Sequence, residues 1–200
     1  MLDREVELWA AGKIVAGLDE VGRGPLAGPV IACAVILAPD TDPIDGLTDS
    51  KQLTRIQRER LSTEITKTAA CWALAGASVN EIDRLNIRKA TALAMRRCLE
   101  RLPLNPDHVL VDGNPLPELG RPHEAIVKGD SISLSIAAAS VLAKVLRDHL
   151  MTLLDMRYPG FAWASNKGYG TDEHWDAINE LGPTAHHRKT FAQLLQLNLF

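Results

Sequence analysis

The chain has 200 residues, enough for one compact domain with a small appendage, and its 46% hydrophobic content permits a sizeable core. Its three cysteines, Cys33, Cys71 and Cys98, are widely spaced with no CxxC pair; this argues against a zinc cage or a disulfide framework and fits a reducing compartment. A formal net charge of −3 does not announce a nucleic-acid binder, yet phosphate neutralisation needs only a local basic face, and bound divalent cations would add positive charge at a site.

The opening stretch MLDREVELWAAGK carries acids and no long apolar run, so no secretory signal is expected. The longest apolar stretches, such as residues 30–38, fall well short of the roughly 20 residues that span a bilayer, and a cytoplasmic protein without a membrane segment is the expectation. Residues 14–18 form a short apolar run ending in Asp19 and Glu20. A turn punctuated by glycine and proline, VGRGPLAGP, leads to a second run, VIACAVIL, and together they read as a strand pair. LTDSKQL is loop-like, and Thr54 can cap a helix running to about Thr68. Residues 71–79 are a further strand candidate. Ile87, Ala90, Leu93, Ala94 and Cys98 have helical spacing within 86–102, and Pro103 stops that helix.

Residues 108–111 are a short strand ended by Asp112-Gly113-Asn114, and 124–127 are another, leading to Lys128-Gly129-Asp130. Residues 131–156 read as one long helical segment, unbroken or interrupted near Asp148; its first half is rich in small residues, as expected where a helix packs closely on a sheet. A loop, FAWASNKGYGT, and a short helix over 172–181 precede the basic stretch AHHRKTF. Strands alternating with helices in this order predict an α/β layer with helices covering a mixed sheet.

Asp19, Glu20, Asp112 and Asp130 stand where these strands or helices begin or end, and several strand ends can converge at one sheet edge. Hard cations such as Mg²⁺ take oxygen ligands, and two such ions about 4 Å apart can clamp the attacking water and the leaving oxygen of a phosphodiester. Each acid has a plainer reading. Asp112 before Gly-Asn suits a turn, and Asp130 before a helix suits a cap. Glu20 is harder to explain without a cation, because adjacent carboxylates repel. Residue types and spacing alone reach no further than a metal-dependent phosphoryl enzyme.

Longer stretches are more specific. AGLDEVGRGPLAGPV resembles the signature of the ribonuclease HII family, and GLTDSKQLT, NIRKATALAM, VDGN, KGDSISLSIAAASVLAKVLRD, NKGYGT and GPTAHHRKTF resemble further family motifs in the same order over nearly the whole chain. The resemblance implies an RNase H-like mixed sheet flanked by helices, with a catalytic domain over 1–157, a small helical C-terminal region over 158–195 that completes the substrate groove, and a tail over 196–200. It implies that Asp19, Glu20, Asp112 and Asp130 are catalytic and bind Mg²⁺ or Mn²⁺. The implied reaction is hydrolysis 5′ of a ribonucleotide, in RNA–DNA hybrids or embedded in duplex DNA, leaving 3′-hydroxyl and 5′-phosphate ends.

Within the resemblance, Gly22-Arg23-Gly24 matches the loop that senses a ribose, and Tyr169 matches a tyrosine that stacks on the following sugar. Glycines admit a close backbone approach, and a 2′-hydroxyl both donates and accepts hydrogen bonds; the plainer alternative is that the glycines only shape a tight turn. Lys51 is the first candidate for a phosphate contact, followed by Lys144, Arg147, Arg188 and Lys189. His186 and His187 read most simply as surface residues of a polar turn. FAWASN departs from the family's pattern before KGYGT, which leaves that loop's path open.

Gln196, Leu197, Leu199 and Phe200, in QLNLF, resemble the pentapeptide by which bacterial replication and repair proteins dock on the sliding clamp; the alternative is a terminal helix packing its leucines on the domain. The overall expectation is a monomeric nuclease. Two rivals are a non-catalytic module for RNA–DNA junctions, which could lose the carboxylates, and a small-molecule phosphatase, which would need neither the ribose-sensing loop nor Tyr169.

Overall fold

The computed structural model describes residues 1–191. Five strands, β1 (Val15–Val21), β2 (Val30–Ile36), β3 (Cys71–Ala77), β4 (His108–Asp112) and β5 (Glu124–Ile126), form a mixed sheet in the order β3-β2-β1-β4-β5. The first three pair antiparallel, while β4 and β5 add in parallel on the other side of β1. Strand β2 is buried at every position, as a central strand covered on both faces should be.

Alternation along β1 and β2 divides the core in two. Ala16, Leu18, Ala32 and Ala34 pack with α4 (Ile87–Arg101), through Ala90, Ala94, Met95 and Cys98. Ile31, Cys33 and Val35 pack on the opposite face with α2 (Arg55–Thr68) and α5 (Leu134–Arg157). The closest approach is at Gly17, where a Cβ would come within 2.3 Å of the Ser135 backbone. Only glycine fits there. The first turn of α5 therefore seats directly on β1, two residues before Asp19.

Thr54 and Gln57 form a reciprocal cap on α2, and Thr171 caps α7 (Asp172–Leu181). Helix α5 continues unbroken past Asp148, which accepts from Lys144 at 2.8 Å one turn earlier. The strand expected to reach residue 79 stops at Ala77, because Ser78 turns out to cap α3 (Val79–Leu85) with Glu81 as its partner. Helices α1 (Asp3–Ala10) and α6 (Trp163–Asn166) were also not expected. Beyond α5, Phe161, Trp163, Ala177 and Ile178 gather with Ala27 and Met151 into a separate cluster, which anchors the segment carrying Tyr169. No helix among the described residues is long and apolar enough to cross a membrane.

Candidate active site

Strands β1 and β4 pair in parallel as far as Leu18 and Val111, so Asp19 and Asp112 are the next residues on two adjacent strands. Asp130 lies in the single 3-10 turn Gly129–Ser131 that precedes α5. One carboxylate oxygen from each of Asp19, Asp112 and Asp130 falls within 4.8 Å of the other two. Backbone donors fix two of them: Glu20 N–H reaches Asp19 Oδ1 at 2.7 Å, and Gly129 N–H reaches Asp112 Oδ1 at 2.7 Å.

The cluster is electrostatically strained. Burial, with the charges of Glu20 and Asp112, pushes the Asp19 carboxyl well above the usual carboxylate range. Burial also raises Asp130, assisted by Asp112 and Asp49. Close carboxylates repel one another, and burial at Asp19 and Asp130 adds to the cost of leaving that charge without a compensating cation. Their hard oxygen donors and mutual spacing fit a divalent metal ion.

Glu20 turns the other way. As the next residue along β1 it faces α4, lines a cleft of about 160 Å³ with Arg88, Asp112 and Asn114, and accepts from Arg23 at 3.0 Å. Burial raises its carboxyl, and Arg23 offsets only part of that rise. Asp112 thus belongs to the three-acid cluster and also lines the cleft with Glu20. Lys51 is mostly exposed, with Nζ 3.7 Å from Asp130 and 3.9 Å from Asp49. Burial lowers its ammonium, but Asp49, Asp130, Asp19 and Asp112 outweigh that and hold it above its usual range.

The two glycines of Gly22-Arg23-Gly24 differ in kind. Gly22 has φ +91°, and a Cβ there would meet Arg147 Nε at 2.1 Å, so packing and backbone conformation alone demand glycine. At Gly24 the nearest atom to such a Cβ is Tyr169 Cε1, at 3.5 Å. The fold thus brings the two candidate sugar-reading elements side by side, and Tyr169 is exposed.

Arg147 and Arg188 correct the sequence reading, because both are fully buried and cannot reach a phosphate. All their side-chain hydrogen bonds go to main-chain carbonyls. Arg188 donates to Gly22, Arg23 and Gly28 at 2.5–3.0 Å. Arg147 donates to Ala27, Pro29 and Lys167 at 3.0–3.1 Å.

A family model described as Ribonuclease HII matches residues 16–194. The chain belongs to the ribonuclease HII family. That family is one of hydrolases, endoribonucleases acting on RNA–DNA hybrids. A ribonuclease HII from Cereibacter sphaeroides is 56% identical over 178 residues, 88% of this chain and 83% of that protein. One from Anaeromyxobacter is 52% identical over 192 residues, 96% of this chain but 61% of that longer protein. Among solved structures, ribonuclease H2 of Pyrococcus horikoshii gives a TM-score of 0.77 at 26% identity, covering 92% of this chain and 96% of that one. The RNase HII of Archaeoglobus fulgidus, solved in a complex with PCNA, gives 0.75 at 25%, covering 89% and 95%. These neighbours agree with the RNase H-like fold expected from the sequence.

In this ribonuclease HII fold His187 is buried, against the expectation of a surface residue. Thr184 N–H donates to His187 Nδ1 at 2.9 Å, so the ring proton sits on Nε2 and is donated to His174 Nε2 at 3.1 Å. Trp163 Nε1–H donates to the same His174 atom at 2.9 Å, and His174 Nδ1–H donates to the Tyr169 carbonyl at 2.8 Å. Every partner requires both rings to be neutral. The pair secures the Tyr169 backbone and is no zinc site. Asp49 escaped sequence reasoning, although it lies beside Lys51 and Asp130; its signal was the Asp-Ser-Lys turn, in which Lys51 N–H donates to Asp49 Oδ1 at 2.9 Å.

Proposed function

We propose that this protein hydrolyses the phosphodiester 5′ of a ribonucleotide, in RNA–DNA hybrids or embedded in duplex DNA, leaving 3′-hydroxyl and 5′-phosphate ends. The supporting observation is the convergence of Asp19, Asp112 and Asp130 within 4.8 Å. In this reading they hold Mg²⁺ or Mn²⁺, with Glu20 joining from the Asp112 side. Divalent ions bound there would supply the Lewis acidity that activates water and stabilises the leaving oxygen. Lys51, exposed beside Asp130, contacts a substrate phosphate. Gly22-Arg23-Gly24 reads the 2′-hydroxyl, and Tyr169, lying against Gly24, stacks on the next sugar.

The segment 158–195 acts as a helical region that completes the groove around the catalytic part, 1–157. The protein works as a cytoplasmic monomer in ribonucleotide and RNA-primer removal. The tail 196–200, outside the described residues, docks on the bacterial sliding clamp through Gln196, Leu197, Leu199 and Phe200; the Archaeoglobus complex with PCNA supports the idea that such a partner exists.

A duplex containing one ribonucleotide, incubated with Mg²⁺ or Mn²⁺ and then with EDTA, tests the activity. Metal-dependent cleavage is expected. Binding without cleavage would favour a junction-recognition module, and release of phosphate from monoesters with an intact duplex would favour a phosphatase.

A further inference from the structure

Helix α1 lies outside the span 16–194 matched by the family model, yet it contacts the first residues of α5, just after the turn that carries Asp130. Glu5 is fully buried, and its Oε1 accepts from Ser133 Oγ at 2.5 Å, Ser135 Oγ at 2.7 Å and Ser135 N–H at 3.0 Å. Its Oε2 has no hydrogen-bond partner among the described residues. Arg4, next to it, grips Glu124 on β5 at 2.6 Å, so α1 straps the start of α5 to the edge of the sheet.

We propose that Glu5 is a positioning residue for the acidic cluster, fixing Asp112 and Asp130 through Ser133 and the turn at Gly129. The path consists of named contacts. Ser133 Oγ gives its one proton to Glu5 and accepts from Ile136 N–H at 3.2 Å, capping α5. Ser133 N–H donates to the Gly129 carbonyl at 2.8 Å, closing the turn that carries Asp130. Gly129 N–H donates in turn to Asp112 Oδ1. The Ser135 backbone bears on Gly17, two residues before Asp19, so the same anchor touches the third strand of contacts. A serine cap needs no acid behind it, and a buried carboxyl with an orphaned oxygen is a costly way to support one. Its value lies in holding ligand-bearing backbone to a fixed geometry, as outer partners of metal ligands do.

This inference rests on the proposed metal-dependent activity, and its test separates the two. Mg²⁺ is titrated calorimetrically into the full chain without substrate, for wild type, Glu5→Ala, Glu5→Gln and Ser135→Ala, alongside melting curves and steady-state cleavage. Glu5→Ala should weaken Mg²⁺ binding about tenfold or more and lower kcat, while KM for the duplex stays within about twofold. Glu5→Gln, which keeps an accepting oxygen, should restore both to within about threefold. A lower melting temperature with unchanged Mg²⁺ affinity and kcat overturns the proposal, as does a loss that glutamine leaves uncorrected. If Glu5→Ala does not fold, Ser135→Ala decides: weaker Mg²⁺ binding supports the proposal and wild-type affinity overturns it. Wild type that binds no Mg²⁺ would instead sink the nuclease reading itself.

Discussion

The ring of Tyr169 lies against Gly24, with Cε1 3.5 Å from where a Cβ on Gly24 would sit, while Gly22 is pressed against Arg147. The two glycines of one short loop therefore answer to different demands, and alanine should tell them apart. Gly24→Ala is expected to melt like wild type but to lose about tenfold or more in kcat/KM on a duplex with one ribonucleotide, because the methyl occupies the gap beside Tyr169. Gly22→Ala is expected to lose about 2 kcal/mol or more in urea unfolding. Equal stability losses in both variants would contradict this division.

Asp19 offers a sharper separation of stability from activity. Its buried carboxyl ionises in the fold only well above the usual range, so the unfolded chain ionises first as pH rises, and stability is lost across that window. Asp19→Asn removes this penalty. Without metal at pH 7 the variant should melt at or a few degrees above wild type, about 2–4 °C by the usual scaling, while its turnover falls about a thousandfold or more. Added Mg²⁺ should raise the melting temperature of wild type more than that of the variant. Near-normal cleavage by Asp19→Asn would remove the residue from the mechanism.

Acid should unfasten the histidine pair. Burial above all, with the adjoining His174 imidazole disfavouring a second proton on the pair, pushes His187 down to about 4 from an ordinary 6.5. Below pH 6.5 the unfolded chain takes up a proton that the fold refuses, so stability is full above that point and lost as pH falls toward 4. His187→Gln, which can still accept from Thr184 and donate to His174, should show a flatter melting-temperature profile between pH 6.5 and 4. Parallel profiles for the two proteins would place the acid sensitivity elsewhere.

Deleting residues 196–200 should abolish binding to an immobilised bacterial sliding clamp and leave cleavage of a free oligonucleotide unchanged. Undiminished clamp affinity would return QLNLF to the alternative of a helix packing its leucines.

Elements governed by local signals were readable in the sequence. Helix α2 follows from its Thr54 cap and α4 from its apolar spacing, and the apolar runs before Asp19, after the glycine turn and before Asp112 mark β1, β2 and β4. Helix α3 is marked locally by the Ser78–Glu81 capping pair, which ends β3 at Ala77 where the apolar run alone suggests a longer strand. The acids were visible as residues at strand and helix ends, but only folding shows that Asp19, Asp112 and Asp130 converge and that Asp49 stands beside Asp130. Nor did chain order reveal the burial of Arg147, His187 and Arg188. A polar residue's burial depends on partners far along the chain, and a basic stretch such as AHHRKTF gives the same appearance whether its arginine meets solvent or three backbone carbonyls.

Those carbonyls have a consequence for behaviour in salt. Dissolved ions compete for exposed phosphate contacts, so the grip of this protein on any duplex should slacken as ionic strength rises. They do not penetrate to Arg147 and Arg188, whose side chains are buried against main-chain oxygens. On the proposed reading, the turn Gly22-Arg23-Gly24 keeps its shape regardless, and a preference for ribose over deoxyribose should persist in brine strong enough to strip away most of the affinity.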